Sequence, residues 1–246
     1  MPRRGRLIAL EGGSAAGKTT LVLATAHELG WYPIDEAVDR MDPAPALDVS
    51  TPRELVRLET TLLAEEVRRY REARRAVARG ATVFADTGFL GPVTYTRGLV
   101  DVGRTRPSVY RSVERVARAL LERDALGIPD LTIYLATTTR ERTRRAHQDR
   151  PHHARPEFER HEAVGAVERT HFESLFPSAL PERFLRLRGR AGVPALVREV
   201  RALAERTPPV PPSRADGLLL LTLLGPGRRP RPGARRTVTG ALGPNR

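Results

Sequence analysis

The residues Gly12-Gly13-Ser14-Ala15-Ala16-Gly17-Lys18-Thr19 fit the spacing G-x-x-x-x-G-K-[ST]. Chemically this is a phosphate cradle. Small residues free consecutive backbone N–H groups to curl around phosphate oxygens. The start of the helix that follows, at Thr20, adds the positive end of its dipole. Lys18 is placed to meet the β- and γ-phosphates, and the Thr19 hydroxyl to ligate Mg2+. Lys18 is also the only lysine among 42 lysines and arginines. Arginine has replaced lysine everywhere except where a compact ammonium on a flexible stem differs from a planar fork. The expected ligands are a nucleoside triphosphate and Mg2+.

Phosphoryl transfer further needs a second metal contact, an acceptor-orienting group and positive charge over the moving phosphoryl. Asp86 ends the apolar run Val83-Phe84-Ala85, as a metal-side carboxylate does at a strand end. It can hold Mg2+ through water beside Thr19, or contact the acceptor. Glu36 follows the short run Trp31-Tyr32-Pro33-Ile34 and can act as general base toward an acceptor hydroxyl, with Asp35 as its competitor. Arg140, Arg142, Arg144 and Arg145 crowd one short helical segment. Lid arginines can close over phosphates, and Arg144 and Arg145 are the preferred candidates. Asp86-Thr87-Gly88 alone matches an aspartic-protease triplet, but that fold is all-β and this chain is not. His161-Glu162 is not the start of H-E-x-x-H, because position 165 is Gly.

The elements that must position these groups alternate. Apolar, strand-like runs fall at 7–10, 31–34, 81–86, 131–136 and 183–187. Helical patterns follow over 20–29, 51–80, 108–124, 140–148, 157–176 and 193–206, with a further start at 93–100. Thr51, Pro52 and Glu54 form a helix start with a capping box. Ser108 is the expected cap of the 108–124 helix. In 51–80 the apolar stripe runs through Leu55, Leu58, Leu62, Leu63, Val67 and Tyr70. Glu65, Glu66, Arg68, Arg69, Arg71 and Glu72 are expected as a solvated face. The alternation predicts an α/β protein: a three-layer P-loop NTPase sandwich of about five parallel strands with helices on both faces.

At 246 residues, a single domain is the default. The folded domain is expected over 1–206. From Thr207 prolines and then Gly, Pro and Arg dominate, so 207–246 is expected as a mostly disordered tail, with 218–224 a candidate docking patch. Cysteine is absent, which excludes disulfides and thiol chemistry. The first apolar run ends at Glu11, too short for a secretory signal, and no stretch has transmembrane length. The cytoplasm is the expected compartment, without a membrane partner. The net charge of +13 is spread along an arginine-biased chain, so nucleic acid is not an expected partner. A homodimer is compatible with this reading.

These motifs resemble the P-loop nucleoside and nucleotide kinases, the deoxynucleoside kinase and thymidylate kinase group, over roughly 6–205. Ile34-Asp35-Glu36-Ala37-Val38 resembles the family segment ending Glu-Pro-Val, which implies Glu36 as base. Val83-Phe84-Ala85-Asp86 resembles the strand before the family's acid-Arg motif. Tyr134-Leu135 with Arg140 to Arg145 resembles the strand and arginine lid, and Glu157 to Glu173 the helix after it. The resemblance implies an ATP- and Mg2+-dependent kinase with a nucleoside or nucleoside monophosphate as acceptor. Thr87 stands where the family has Arg, and Ala37 where it has Pro. Both departures lie on the acceptor side, so a ribosyl compound, an antibiotic or another small alcohol is the alternative acceptor. A non-catalytic nucleotide switch is the rival class. A guanine-selective GTPase would need a second lysine, and an AAA-type motor an Asp-Glu pair where Asp86-Thr87 stands.

Overall fold

The computed structural model describes residues 5–45, 47, 49–148, 155–210 and 213–225. Its centre is a five-stranded parallel sheet in the order β2-β3-β1-β4-β5. The strands are β1 (Arg6–Glu11), β2 (Tyr32–Ile34), β3 (Thr82–Asp86), β4 (Leu131–Ala136) and β5 (Phe184–Arg188). The helices are α1 (Lys18–Leu29), α2 (Pro52–Ala78), α3 (Gly91–Asp101), α4 (Pro107–Glu122), α5 (Thr139–Gln148), α6 (Arg155–Thr170), α7 (Phe176–Ala179), α8 (Val193–Arg206) and α9 (Arg214–Leu224). A π-helical turn, His171–Leu175, joins α6 to α7.

Both faces of the sheet are covered, so the strands read as near-continuous apolar runs. Strand alternation still divides the side chains between two cores. Leu7, Ala9, Val83 and Ala85 join the α2–α3–α4 side. Ile8, Leu10, Phe84, Leu131, Ile133 and Leu135 join the α1–α8 side. β1 is flanked by β3 and β4, and chain order reverses across it. A crevice therefore opens beyond the carboxyl ends of these strands, where open α/β sheets hold ligands.

The capping box at the start of α2 forms: Thr51 Oγ1 accepts from Glu54 N at 3.2 Å, and the Glu54 carboxylate accepts from Thr51 N at 3.0 Å. Ser108 is not the cap of α4. The helix starts at Pro107, whose fixed φ suits the first helical position, with Arg106 before it.

The expectation of a solvated charged face on α2 fails for Glu65, Glu66 and Arg69, which are buried. The charges satisfy one another inside. Glu65 accepts from Arg40 at 3.1 Å and Arg68 at 3.0 Å, and Glu66 pairs with Arg69.

The expected tail boundary also moves. Arg214–Leu224 is helix α9, with Leu220, Leu221 and Leu224 buried in the core beside α4. Ser213 caps it, accepting from Asp216 N at 3.2 Å. Asp216 in turn pairs with the fully buried Arg183 at 2.7 Å, and Arg183 also donates to Pro129 O at 3.2 Å and Val210 O at 3.1 Å. This segment belongs to the folded body. Residues 226–246 lie outside the described residues, as do 149–154, between the helical patterns expected over 140–148 and 157–176. No helix among the described residues is long and apolar enough to cross a membrane.

Candidate active site

The loop between β1 and α1 has the backbone that its small residues allow. Ala15 has φ 57° and Gly17 φ 95°. Glycine at 17 takes that left-handed angle without a Cβ clash. Gly13 is needed for closeness: a Cβ there would stand 2.4 Å from Arg142 Nη1. Lys18 Nζ donates to Gly12 O at 3.1 Å, folding back over the loop. Burial pulls the Lys18 ammonium down, but Glu36, Asp86, Glu11 and Glu168 outweigh it and its pKa ends above the ordinary value. It is a firm cation.

Thr19 Oγ1 donates to Asp86 Oδ2 at 2.5 Å. The other oxygen, Asp86 Oδ1, is buried and has no hydrogen-bond partner among the described residues. Burial pushes the Asp86 carboxyl up, Lys18 pulls it down and Glu36 pushes it up again, for a net rise. A hydroxyl beside an orphaned carboxylate oxygen is a hard-oxygen donor set. It fits Mg2+, which takes one or two protein oxygens and completes its shell with water and phosphate. The sequence-predicted pair Thr19 and Asp86 is thus brought together.

Asp86 leads into Thr87, a non-glycine residue at φ 67°. The angle is held from two sides. Arg69, fully buried on α2, donates to Asp86 O at 2.5 Å and to Thr87 O at 3.4 Å. Gly88 N donates to Glu11 Oε1 at 2.8 Å. Arg69 also lies over the Phe89 ring at 5.4 Å. A guanidinium from another helix therefore reaches the strand end where an arginine at 87 is missing.

One cavity of about 1430 Å3 joins these parts. The phosphate loop forms one wall, and Glu36, Glu59, Thr87, Tyr95 and Glu168 stand among the others. Glu36 lines the cavity, whereas Asp35 is exposed and does not. Burial pushes Glu11 and Glu59 to about 8 and Glu168 to about 7. Glu11, Glu59 and Glu168 were not anticipated from sequence. Glu59 left a signal, since it lies in the α2 apolar stripe four residues from both Leu55 and Leu63.

The arginine helix α5 separates its members. Arg145 lines the cavity, donates to Ala16 O at 2.5 Å and pairs with Glu141 at 2.9 Å. Arg144 sits on the outer side, 57% exposed, bound to Glu141 at 2.7 Å, so the structure does not bring it to the phosphates. Arg142, missed as a preferred candidate, is 2% exposed, held by Glu162 at 2.7 Å, and its Nη1 over Gly13 is unpartnered among the described residues. Positions 142 and 145 share a helix face and 144 does not. Of the loop residues 12–20 expected to hold the nucleotide, Gly12, Ser14, Ala15, Ala16, Gly17, Lys18, Thr19 and Thr20 line the cavity; Arg142 covers Gly13.

Fold and site together define a P-loop protein with the nucleoside-kinase form of the α/β sandwich. The sequence profile of a family described as an AAA domain matches residues 7–164, and the chain belongs to that family. The deoxyadenosine kinase of M. mycoides with bound dATP is similar in structure, with TM-score 0.61 and 14% identity over 81% of this chain and 99% of that one. The same kinase with the products dCMP and a flexible dCDP gives 0.52 at 15% identity, over 80% of this chain and 97% of that one. With bound dCTP it gives 0.53 at 16%, over 80% and 98%. At these identities the likeness is one of fold. No curated protein matches the sequence.

Proposed function

We propose that this chain is an ATP- and Mg2+-dependent kinase that phosphorylates a hydroxyl of a small, nucleoside-like acceptor. The observation that carries the reading is a single cavity holding both the phosphate loop with Lys18 and, on another element, the acid Glu36, with volume left for a second substrate. A nucleotide switch or simple ATPase has no need of that second compartment. Thr19 and Asp86 would hold the metal, which when bound neutralises charge on the β- and γ-phosphates. Lys18, Arg145 and Arg142 meet the charge of the moving phosphoryl group. Glu36 accepts the proton of the acceptor hydroxyl. The acceptor oxygen bonds to the γ-phosphorus as its bond to the β-phosphate oxygen breaks, and ADP leaves with that electron pair. The supply of ATP and nucleoside-like alcohols points to the cytoplasm as the place of action.

The test is ADP release with and without a panel of nucleosides, nucleotides and aminoglycoside-like alcohols, in wild type and Lys18→Ala. Acceptor-dependent release that is lost in Lys18→Ala is the expected result. Slow release indifferent to every acceptor, or a Lys18→Ala protein of near-normal turnover, overturns the reading.

A further inference from the structure

The cavity wall facing the phosphate loop is lined by carboxyl groups rather than bases, a poor match for a second phosphate. Away from the loop it carries Glu36, Asp39, Glu59, Glu66 and Glu168 against Arg104, which is exposed at the rim. Glu66 is spoken for by Arg69. Glu59 is not: it is 2% exposed, lines the cavity, and makes no hydrogen bond or ion pair among the described residues. The charged group that acts on it is Glu168, of the same sign, from α6. Its neighbours along the wall are Leu55, Leu58 and Leu62.

A carboxyl group buried among leucines without a partner is costly, and such groups in folded proteins are paired. No described residue supplies the pair here, and the side chain faces a cavity large enough to admit one. We propose that the acceptor carries a protonated amine, which docks between Glu59 and Glu168, and that acceptors already bearing a phosphate are excluded. The proposal rests on the kinase reading and names the class of alcohol that the site takes. Tyr95, on the same cavity, adds an aromatic ring suited to a cation. The donor end keeps Lys18 and Arg145 for the triphosphate, so the two ends of the cavity select opposite charges. The reaction is unchanged: the amine positions the molecule, and a separate hydroxyl takes the phosphoryl group and yields its proton to Glu36.

The test compares aminonucleosides and aminoglycosides with their N-acetylated forms, which keep every hydroxyl and lose the charge. Neutral nucleosides and nucleoside monophosphates complete the panel, with the full chain, ATP and Mg2+. The free amine is expected to give kcat/KM about tenfold or more above its N-acetyl form, the worth of a charge-assisted contact. Glu59→Gln should raise KM for the amine by a similar factor and leave KM for ATP within about twofold. Glu168→Gln serves the same purpose should the first variant fail to fold. Neutral nucleosides or monophosphates used as well as the amines overturn this inference while the kinase reading stands. ADP release indifferent to all acceptors overturns the kinase reading itself. Calorimetry of the same amines with a non-hydrolysable ATP analogue then decides the pocket. Binding lost on N-acetylation and in Glu59→Gln supports the ammonium site, and no binding overturns it.

Discussion

Arg142 lies against Gly13 so closely that a single added Cβ would stand 2.4 Å from its Nη1 nitrogen. That nitrogen has no partner among the described residues, and Glu162 fixes the rest of the guanidinium. A buried, unsatisfied donor held over a phosphate cradle is preorganised for negative charge. Arg142→Ala is expected to lower kcat by about a hundredfold, the usual cost of one such donor. Gly13→Ala should act through the same arginine by displacing it. Arg144→Ala should stay within about twofold, because its guanidinium pairs on the surface with Glu141. Steady-state ADP release for the three variants checks this. Equal losses for Arg142→Ala and Arg144→Ala would reject the assignment.

The Thr19–Asp86 pair leads to a metal prediction. Asp86→Asn removes the charge while nearly preserving shape. It is expected to raise the Mg2+ concentration for half-maximal activity by about tenfold or more. The melting temperature without ligand should not fall, since the buried Oδ1 is unpartnered among the described residues. A magnesium titration of activity, with a thermal melt alongside, measures both. An unchanged magnesium requirement removes Asp86 from the metal site.

Glu36 is assigned to the proton rather than to the nucleotide. Glu36→Gln is expected to cut kcat by about a hundredfold to ten-thousandfold, the range for a general base. Affinity for a non-hydrolysable ATP analogue should change little. Asp35→Asn should be near-silent, as its side chain is exposed and off the cavity. Should Asp35→Asn carry the larger kcat loss, the base has been misplaced.

What the sequence revealed follows from how local each signal is. The phosphate loop, the α2 capping box and the strand run ending at Asp86 rest on residues close in the chain, and all three are found where expected. The five-strand alternation gave the parallel sheet because each strand, covered on both faces, is an uninterrupted apolar run. Glu59, Arg69 and Glu168 depend on what packs against α2 and α6 from elsewhere, and from α2 alone Arg69 read as surface charge. Spacing could have separated Arg142 and Arg145 from Arg144, but the arginine bias of the chain hid it. Helix α9 was obscured by its surroundings: prolines before it and Gly, Pro and Arg after it made the 218–224 apolar run look like an isolated patch.

Helix α9 is testable as part of the core. Leu221 is fully buried, and Gly217 packs so tightly that a Cβ there would stand 2.7 Å from Leu121 Cδ2. Leu221→Ala is expected to destabilise the protein by about 2–5 kcal/mol, transfer and cavity terms together. Asp216→Ala, which removes the carboxylate partner of the buried Arg183, should destabilise by a comparable amount. Urea unfolding measures both. Stabilities within experimental error of wild type would mean that α9 does not contribute to the fold.

The glutamates of the cavity make stability without ligand depend on pH in an unusual direction. Burial raises Glu11 and Glu59 to about 8, and Glu66 and Glu168 to about 7, from an ordinary 4.5. Between pH 4.5 and 8 the folded protein therefore holds protons on these carboxyls that the unfolded chain has released. Stability is greatest toward the acid end of that window and falls as pH rises through it. Buried His171, lowered to about 4, opposes this below its ordinary 6.5, since the unfolded chain gains a proton there that the folded protein refuses. One histidine does not outweigh four carboxyls, so stability still falls with rising pH across the window from 4.5 to 8. Melting temperature is expected to drop between pH 6 and pH 8. Glu59→Gln should flatten the drop and raise the pH 8 value, because a neutral amide replaces a group that must otherwise ionise in an apolar wall. The groups facing Glu59 and Glu168 set the slope: Glu36, Lys18 and Arg142 act on Glu168, and Glu168 acts on Glu59. A melt series across this range, in wild type and Glu59→Gln, measures the effect. A wild-type melting temperature that rises from pH 6 to pH 8 contradicts the placement of these carboxyls.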